Sequence, residues 1–195
     1  METDSGYAWG DTLPTLTTAR VVLRPIETSD AAAYFAIFSD PETTLYWSRP
    51  PMQQLAEAEA YVAQVINAFH TRRASQWAIA RPGDSTLVGH CALHRVDLDH
   101  RRAEVGFVLS RSLWGSGLMS QALARLVAFA FESMQLHRLE ADVDPRNARS
   151  LVLLARHGFR QEGMLRERYW VNGEWQDTAM LALLRPEWAM SEIAP

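Results

Sequence analysis

A glycine turn between two apolar segments has the residue types and spacing best suited to chemistry. It extends over Ser112–Ala122, with Gly115 and Gly117 at its centre. The apolar stretch Val105–Leu109 precedes the turn, and the amphipathic pattern of Leu118–Phe131 follows it. At a junction of strand, turn and helix, free backbone N–H groups and the positive end of the helix dipole bind phosphate or pyrophosphate. The sequence therefore predicts a main-chain site for a phosphorylated cofactor.

Neither of the two common nucleotide-binding motifs is complete at this turn. A P-loop has lysine directly after its second glycine, whereas Leu118 follows Gly117 here. The dinucleotide fingerprint has a third glycine three residues further on, where this chain has Ser120. The turn is therefore expected to bind a cofactor of another kind through its phosphates, or else only to close a loop.

Glu104 is the candidate for moving a proton near this turn. It lies on the strand that leads into the turn, on the same face as Gly106 and Val108. A carboxylate inside a sheet is costly to bury unless it has a partner or a wet cleft. Two interpretations stay open: a general base at a cleft, or an ion pair with Arg95 or Arg102.

Size and composition limit the class of protein. A chain of 195 residues fits one domain with a sizeable core, and we expect that domain at 16–190, after a flexible lead-in at 1–15. The net charge of −4 argues against general nucleic-acid binding. All 19 basic residues are arginine, so no lysine can act as a base or form a Schiff base.

Cysteine, histidine and apolar content favour a cytoplasmic protein without a metal. Cys91 is the only cysteine, which excludes an internal disulfide and favours a reducing compartment. No apolar run approaches the ~20 residues of a membrane span, and no signal-peptide core is present. The six histidines are scattered, and His90 and His94 share a strand face without a third ligand, so we expect no metal site.

Hydrophobic periodicity predicts alternating strands and helices along the whole domain. The order is β-α-α-β-β-β-α-β-α-β-β, ending in a hairpin across Asn172-Gly173. This order predicts an α/β (α+β mixed) fold, with a mixed, largely antiparallel seven-stranded sheet flanked by about four helices. One βαβ crossover at its centre places the glycine turn at the carboxyl end of a central strand, where open sheets bind ligands.

A set of short segments occurs in an order that matches one known family. The segments are Leu23-Arg24-Pro25, Ala103–Phe107, Trp114–Met119, Asn147–Ser150, Gly158-Phe159, Glu162-Gly163, Asn172-Gly173 and Asp177. In this order they resemble the GNAT superfamily of acetyl-CoA-dependent N-acetyltransferases, and more narrowly its RimJ/RimL branch of ribosomal-protein N-terminal acetyltransferases. No single segment is specific, but together they cover roughly Leu16 to Leu184.

The resemblance implies that acetyl-CoA lies between two splayed central strands. The pyrophosphate would bind the turn, the pantetheine would pair with the main chain of the preceding strand, and Ser150 would lie near the thiol. The residues that this assigns to acetyl-CoA are Val108, Leu109, Trp114, Gly115, Ser116, Gly117, Leu118, Met119, Ser120 and Asn147. Asn147 could also simply cap a helix, and the Ser150 hydroxyl could bond its own backbone.

The chain departs from the family pattern at two positions. Ser112 occupies a place where many members have Gln or Arg, and Leu154 replaces the tyrosine that protonates the thiolate in many relatives. Thiolate protonation is then left to Ser150, to water, or to Tyr169 if the hairpin reaches the site. With the resemblance, the interpretation of Glu104 as the base is favoured over the ion pair.

The expected function is direct transfer of an acetyl group from acetyl-CoA to a primary amine in a ternary complex. The acceptor would be a protein N-terminal α-amine, for example of a ribosomal protein, or a small amine. Trp47 lies in the loop that helps form the acceptor pocket in the resembled family, although a packing role is favoured for this residue. Cys91 is expected mid-strand as a buried residue rather than as a nucleophile. Alternatives are an acyl-CoA-binding sensor without turnover and a transferase using another donor such as succinyl-CoA. We expect no nucleic-acid or membrane partner, and a homodimer stays open.

Overall fold

The computed structural model describes residues 10–191 of the chain. Within them, eight strands form one sheet and six α-helices pack around it. The strands are β1 Leu16–Thr17, β2 Val22–Pro25, β3 Ala74–Arg81, β4 Asp84–Asp97, β5 Arg102–Leu109, β6 Arg138–Val143, β7 Arg160–Val171 and β8 Glu174–Leu184. The helices are α1 Ala31–Phe38, α2 Pro41–Thr44, α3 Leu55–His70, α4 Leu118–Ala128, α5 Ala148–Arg156 and α6 Arg185–Ser191.

The sheet has the order β1-β2-β3-β4-β5-β6-β8-β7, and only the β5–β6 pair is parallel. Helix α4 lies between β5 and β6 in the chain, so the predicted central βαβ crossover is confirmed. The sheet has eight strands rather than seven because the two-residue strand β1 pairs with β2, placing Leu16 opposite Leu23. The short helices α2 and α6 raise the helix count above the four predicted.

Strand β5 separates two apolar clusters because its alternate side chains point to opposite faces. Val105 and Leu109 belong to the larger cluster, which also holds Trp77 and residues of α4. Val108 belongs to the smaller cluster, formed with α1 and α3. Glu104 shares the Val108 face, and there it lines an open cleft rather than the packed core.

An ion pair ties strand β2 to the start of α1. Arg24 donates to the two carboxylate oxygens of Asp30 at 2.8 and 2.6 Å, and Asp30 also accepts from the Glu27 backbone N–H at 2.9 Å. The hydrogen bond with Asp30 raises the pKa of Arg24. The Leu23-Arg24-Pro25 segment thereby fixes the helix layer that carries one side of the cleft.

The parallel pairing of β5 and β6 ends early. It extends from Arg102, opposite Arg138, only to Glu104, opposite Glu140. Beyond this point Val105–Leu109 and Ala141–Val143 form no ladder with each other in the described part of the chain. The two strands therefore splay apart toward their carboxyl ends, and the backbone edges left between them face a cleft.

The beginning of the described chain packs against the core. Residues 1–9 of the predicted lead-in lie outside the described residues. Leu13 is buried, and the Pro14 carbonyl accepts a hydrogen bond of 2.8 Å from the Trp77 indole N–H. Between residues 10 and 191, no helix is long and apolar enough to cross a membrane.

Candidate functional site

A cleft lies where β5 and β6 diverge, and its volume is about 290 Å³. The loop that carries Trp47 and the strand β8 complete its walls. Glu104, Asn147 and Ser150 all line it, although they come from separate elements of the sequence. The structure therefore brings the two predicted catalytic residues and one predicted cofactor-binding residue to one cavity.

The glycine turn follows β5 and a short 3-10 turn at Arg111–Leu113. Gly115 and Gly117 have φ angles of +75° and +80°, a left-handed conformation that glycine adopts without a Cβ penalty. Gly117 is the N-cap of α4, so the exposed amides and the positive end of this helix face the same point.

Only part of the turn is free to bind an anion. The Trp114 and Ser116 N–H groups donate inside the turn, to Arg111 O at 3.1 Å and Leu113 O at 3.2 Å. The Leu118 N–H has a long contact of 3.4 Å with the Ser116 hydroxyl. In residues 10–191, the backbone N–H groups of the turn without a hydrogen-bond partner are those of Gly115, Gly117, Met119 and Ser120. Of the predicted phosphate ligands, these four are the available main-chain donors.

Two arginines that the sequence analysis did not single out lie against this turn. Arg20 donates to the Ser116 carbonyl at 3.0 Å, from a position 96 residues earlier in the chain. The Arg149 guanidinium lies 4.5 Å from the centre of a Trp114 ring. Their positive charge adds to that of the helix end. Arg149 lies inside a family segment, whereas nothing in the local sequence marks Arg20.

The start of α5 serves both as a helix cap and as a wall of the cleft. The Asn147 side-chain oxygen accepts from the Ser150 N–H at 3.1 Å, which confirms the N-cap interpretation. The Ser150 hydroxyl has no hydrogen-bond partner among the described residues, so the alternative in which it bonds its own backbone is not seen. Leu154 is fully buried one turn further on and contributes no polar group.

Glu104 both forms an ion pair and lines the cleft, so it meets both interpretations made from the sequence. Its carboxylate accepts a hydrogen bond of 3.0 Å from Arg95, whose φ of +48° lies where the β4–β5 register shifts. The Glu104 side chain is 18% exposed, whereas that of Arg95 is 62% exposed. Burial raises the pKa of Glu104, Arg95 lowers it, and the carboxylates of Asp142 and Glu140 raise it again. The pair is screened by solvent on the Arg95 side, and the carboxylate still lines the cleft.

The β7–β8 hairpin brings Tyr169 to the same cleft. Its hydroxyl donates to Asp142 at 2.6 Å, and the Thr178 hydroxyl also donates to that carboxylate. Burial raises the pKa of Tyr169, and the hydrogen bond to Asp142 raises it further. The phenol therefore keeps its proton at neutral pH and donates it in the hydrogen bond to Asp142. Asp142, which sequence reasoning missed, is 27 residues away from Tyr169 in the chain.

Aromatic rings form the wall of the cleft opposite the strand ends. Trp47 packs edge-on against Phe38, with ring centres 4.7 Å apart, and it also lines the cleft. His90 lies among these rings, and burial lowers its pKa to about 3. His90 Nδ1 is the one buried side-chain nitrogen or oxygen of the described residues without a hydrogen-bond partner. No group of three or more His, Cys, Asp or Glu side chains in residues 10–191 is placed to hold a metal ion.

Comparison with known proteins gives the family. The acetyltransferase (GNAT) domain family matches residues 20–160. An N-acetyltransferase of Bacillus licheniformis, p20, is 33% identical over 177 residues, which are 91% of this chain and 99% of that protein. The [ribosomal protein uS5]-alanine N-acetyltransferase of Escherichia coli K12 is 28% identical, covering 89% of this chain and 92% of the relative.

A solved structure has the same architecture. The Mycobacterium smegmatis RimJ in complex with CoA-disulfide matches with a TM-score of 0.80 and 29% identity, over 92% of this chain and 90% of that one. The chain belongs to the GNAT acetyltransferase family, and it is an N-acetyltransferase. Both the predicted fold and the predicted enzyme class are thereby confirmed.

Proposed function

We propose that this enzyme transfers the acetyl group of acetyl-CoA directly to a primary amine, either a protein N-terminal α-amine or a small amine. The observation that carries the proposal is the cleft between the splayed strands β5 and β6. In it a half-buried carboxylate, Glu104, lies beside strand edges that lead to the glycine turn before α4. Solved relatives with this fold bind CoA derivatives, as the RimJ complex does.

The cofactor would be held mainly by main-chain atoms. Its pyrophosphate accepts hydrogen bonds from the free N–H groups of the turn, with Gly117 at the helix N-terminus. Its pantetheine arm adds to the edge of β5 at Val108 and Leu109, which are paired with β4 on their other side. Asn147 meets the same arm from the start of α5, and Arg20 and Arg149 support the turn.

Glu104 is the proposed general base. It takes a proton from the acceptor amine, directly or through one water, and the nitrogen then attacks the thioester carbonyl carbon. The oxyanion of the tetrahedral intermediate is stabilised by a main-chain N–H near Val108 or Leu109. The C–S bond then breaks, and the sulfur leaves as the thiolate of CoA.

The leaving thiolate needs a proton from another group, because Leu154 occupies the usual tyrosine position. Three donors remain as candidates: Ser150, water and Tyr169. The Tyr169 hydroxyl lies at the edge of the cleft, but it donates its proton to Asp142, and its raised pKa makes it a weaker acid than an unperturbed phenol. The family resemblance places Ser150 near the CoA thiol, and its hydroxyl has no hydrogen-bond partner among the described residues.

An N-terminal α-amine is the leading acceptor class. Such an amine titrates near ~7.7–8.0, so roughly a tenth of it is neutral at pH 7, whereas the amine of lysine titrates near ~10.4. The E. coli relative is an N-acetyltransferase of an alanine of ribosomal protein uS5. We place the reaction in the cytoplasm, where such N-termini are made.

The decisive experiment measures CoA release from acetyl-CoA with a panel of N-terminal peptides and small amines. Steady release with at least one amine, together with the acetylated product by mass spectrometry, would support the proposal. Binding of acetyl-CoA without release for every amine would favour a sensor instead. A parallel series with succinyl-CoA tests the other donor, and faster turnover with it would overturn the choice of acetyl-CoA.

A covalent acyl-enzyme is not expected, and Cys91 provides the test. Its thiol is fully buried, and this burial raises its pKa, so that little thiolate is present to attack a thioester. Cys91→Ala should keep the wild-type kcat and lose about 1–2 kcal/mol of stability through lost packing. Activity assays and urea unfolding measure the two effects.

Mass spectrometry of the wild-type protein mixed with acetyl-CoA alone should show no acetyl group on Cys91. Ping-pong kinetics together with a trapped acetyl-Cys91 would contradict direct transfer. Acetylation of the protein's own N-terminal amine would not, since such an amine reacts slowly as an adventitious acceptor.

A further inference from the structure

The charges that line the cleft are unevenly distributed. Four carboxylates line it, and all come from the sheet or from its strand ends: Glu104, Asp142, Asp144 and Asp177. Of the described residues that line the cleft, only Arg49 has a permanent positive charge. Arg49 belongs to the loop between α2 and α3, so the positive and negative charges come from different walls.

Most of these carboxylates already have partners inside the protein. Glu104 pairs with Arg95 at 3.0 Å, and Asp144 pairs with Arg146 at 2.6 Å. Asp142 accepts from the hydroxyls of Tyr169 and Thr178, and the Arg168 guanidinium lies 3.6 Å from it. Their charges are therefore largely compensated before any acceptor enters the cleft.

Arg49 differs because it forms no ion pair with any residue in 10–191. Its guanidinium carbon lies 4.8 Å from the centre of the Tyr61 ring, an arrangement that orients the group without neutralising it. The fork of N–H donors of such a stacked guanidinium matches a carboxylate in geometry. Arg49 therefore presents unused donors to the cleft.

His90 provides a second, independent sign of a polar ligand at this end. Its ring lines the cleft, lies 6.1 Å from the Trp47 ring, and has an unpartnered Nδ1. An unsatisfied buried polar atom is unfavourable, and a small movement of the ring toward a bound ligand would relieve that cost. The imidazole is neutral, because burial, then His94 and then the charge of Arg49 lower its pKa.

We propose that Arg49 is a specificity-determining residue that binds a carboxylate on the acceptor, so that the preferred acceptor carries an amine and a carboxylate together. The inference rests on the proposed function, because it places the amine beside Glu104. The carboxylate has two possible sources, namely the α-carboxylate of a free amino acid or an acidic side chain near a peptide N-terminus. Polyamines are disfavoured, since they bring a second positive charge toward Arg49.

The test uses matched acceptors that differ in one carboxylate. Alanine is compared with alaninamide, and an amidated peptide beginning Ala-Glu is compared with one beginning Ala-Gln. The kcat/KM of each is measured for the wild type, Arg49→Gln and Arg49→Lys. The preference of each protein is its kcat/KM for the acceptor with the carboxylate divided by its kcat/KM for the matched acceptor without it. Intrinsic differences in amine reactivity cancel when the preference of the wild type is divided by that of Arg49→Gln.

We expect this ratio to be about tenfold to a hundredfold for at least one pair, the value of a charge-assisted hydrogen bond. The pair that shows it identifies the source of the carboxylate. Arg49→Lys should keep part of the preference, and Arg49→Glu should raise the relative kcat/KM for spermidine. Equal preferences in the wild type and Arg49→Gln for both pairs would overturn the inference.

A binding measurement separates this inference from the proposed function. If no amine releases CoA although acetyl-CoA binds, the proposed function fails. The same acceptor pairs are then titrated by calorimetry into the CoA-loaded protein. A carboxylate preference that Arg49→Gln abolishes would still support the anion subsite, and its absence would overturn it.

Discussion

The Glu104→Gln variant should lose about 10²–10⁴-fold in kcat at pH 7, the usual cost of removing a general base. The substitution keeps the shape of the side chain and removes only its basicity. Because the free amine becomes more abundant as pH rises, the deficit should shrink at higher pH. Steady-state rates with the best acceptor, measured across pH 6–9, give the comparison.

The pH dependence of the wild-type kcat/KM shows in which direction the ionisation of Glu104 changes the activity. Glu104 acts as a base only when it is ionised, and burial raises its pKa. The wild-type kcat/KM should therefore fall as pH decreases through this raised pKa. The Glu104→Gln variant has no such group and should lack this part of the acid limb.

Two matched variants distinguish catalysis from structure. Glu140→Gln changes the carboxylate directly opposite Glu104 in the β5–β6 ladder. Glu140 pairs with Arg138 and does not line the cleft. Arg95→Gln removes the ion pair of Glu104 but leaves the base. Both should keep kcat within about tenfold of the wild type. A wild-type kcat for Glu104→Gln at pH 7, with the true acceptor, would leave only a structural role.

Gly117→Val should raise the acetyl-CoA KM by at least about tenfold or abolish binding. The φ of Gly117 is +80°, a conformation in which a β-branched residue is strained. The nearest atom to a Cβ placed there is an Arg20 nitrogen at 3.6 Å, so the cause is backbone strain rather than a clash inside the protein. Relieving the strain moves the N–H groups that bind the pyrophosphate, and each such charge-assisted bond is worth about 1.5–3 kcal/mol.

Gly83→Val is the matched control for this strain. Gly83 has a φ of +81° in the turn between β3 and β4, and an added Cβ would meet nothing within 4 Å. The two variants should lose similar stability in urea unfolding, but only Gly117→Val should lose acetyl-CoA affinity in calorimetry. A folded Gly117→Val protein that binds acetyl-CoA as tightly as the wild type would contradict the site assignment.

The sequence by itself determined the local features of this enzyme. The glycine spacing predicted the turn before α4, since only glycine adopts φ angles of +75° and +80° without strain. The alternation along β5 predicted that Glu104 and Val108 share a face. The order of the short segments was sufficient to identify the family, because each segment reflects what its own strand, turn or helix needs in order to form.

Only the tertiary structure decided which distant groups meet in the cleft. Tyr169 and Asp142 come together because β8 lies between β6 and β7 in the sheet. The contact of Arg20 with the turn depends on how β1 and β2 lie beside α4, and the position of Arg49 depends on the packing of its loop over Tyr61. Side-chain patterning specifies which face of an element is buried, but the partners across a cavity are set by the packing of elements far apart in the chain.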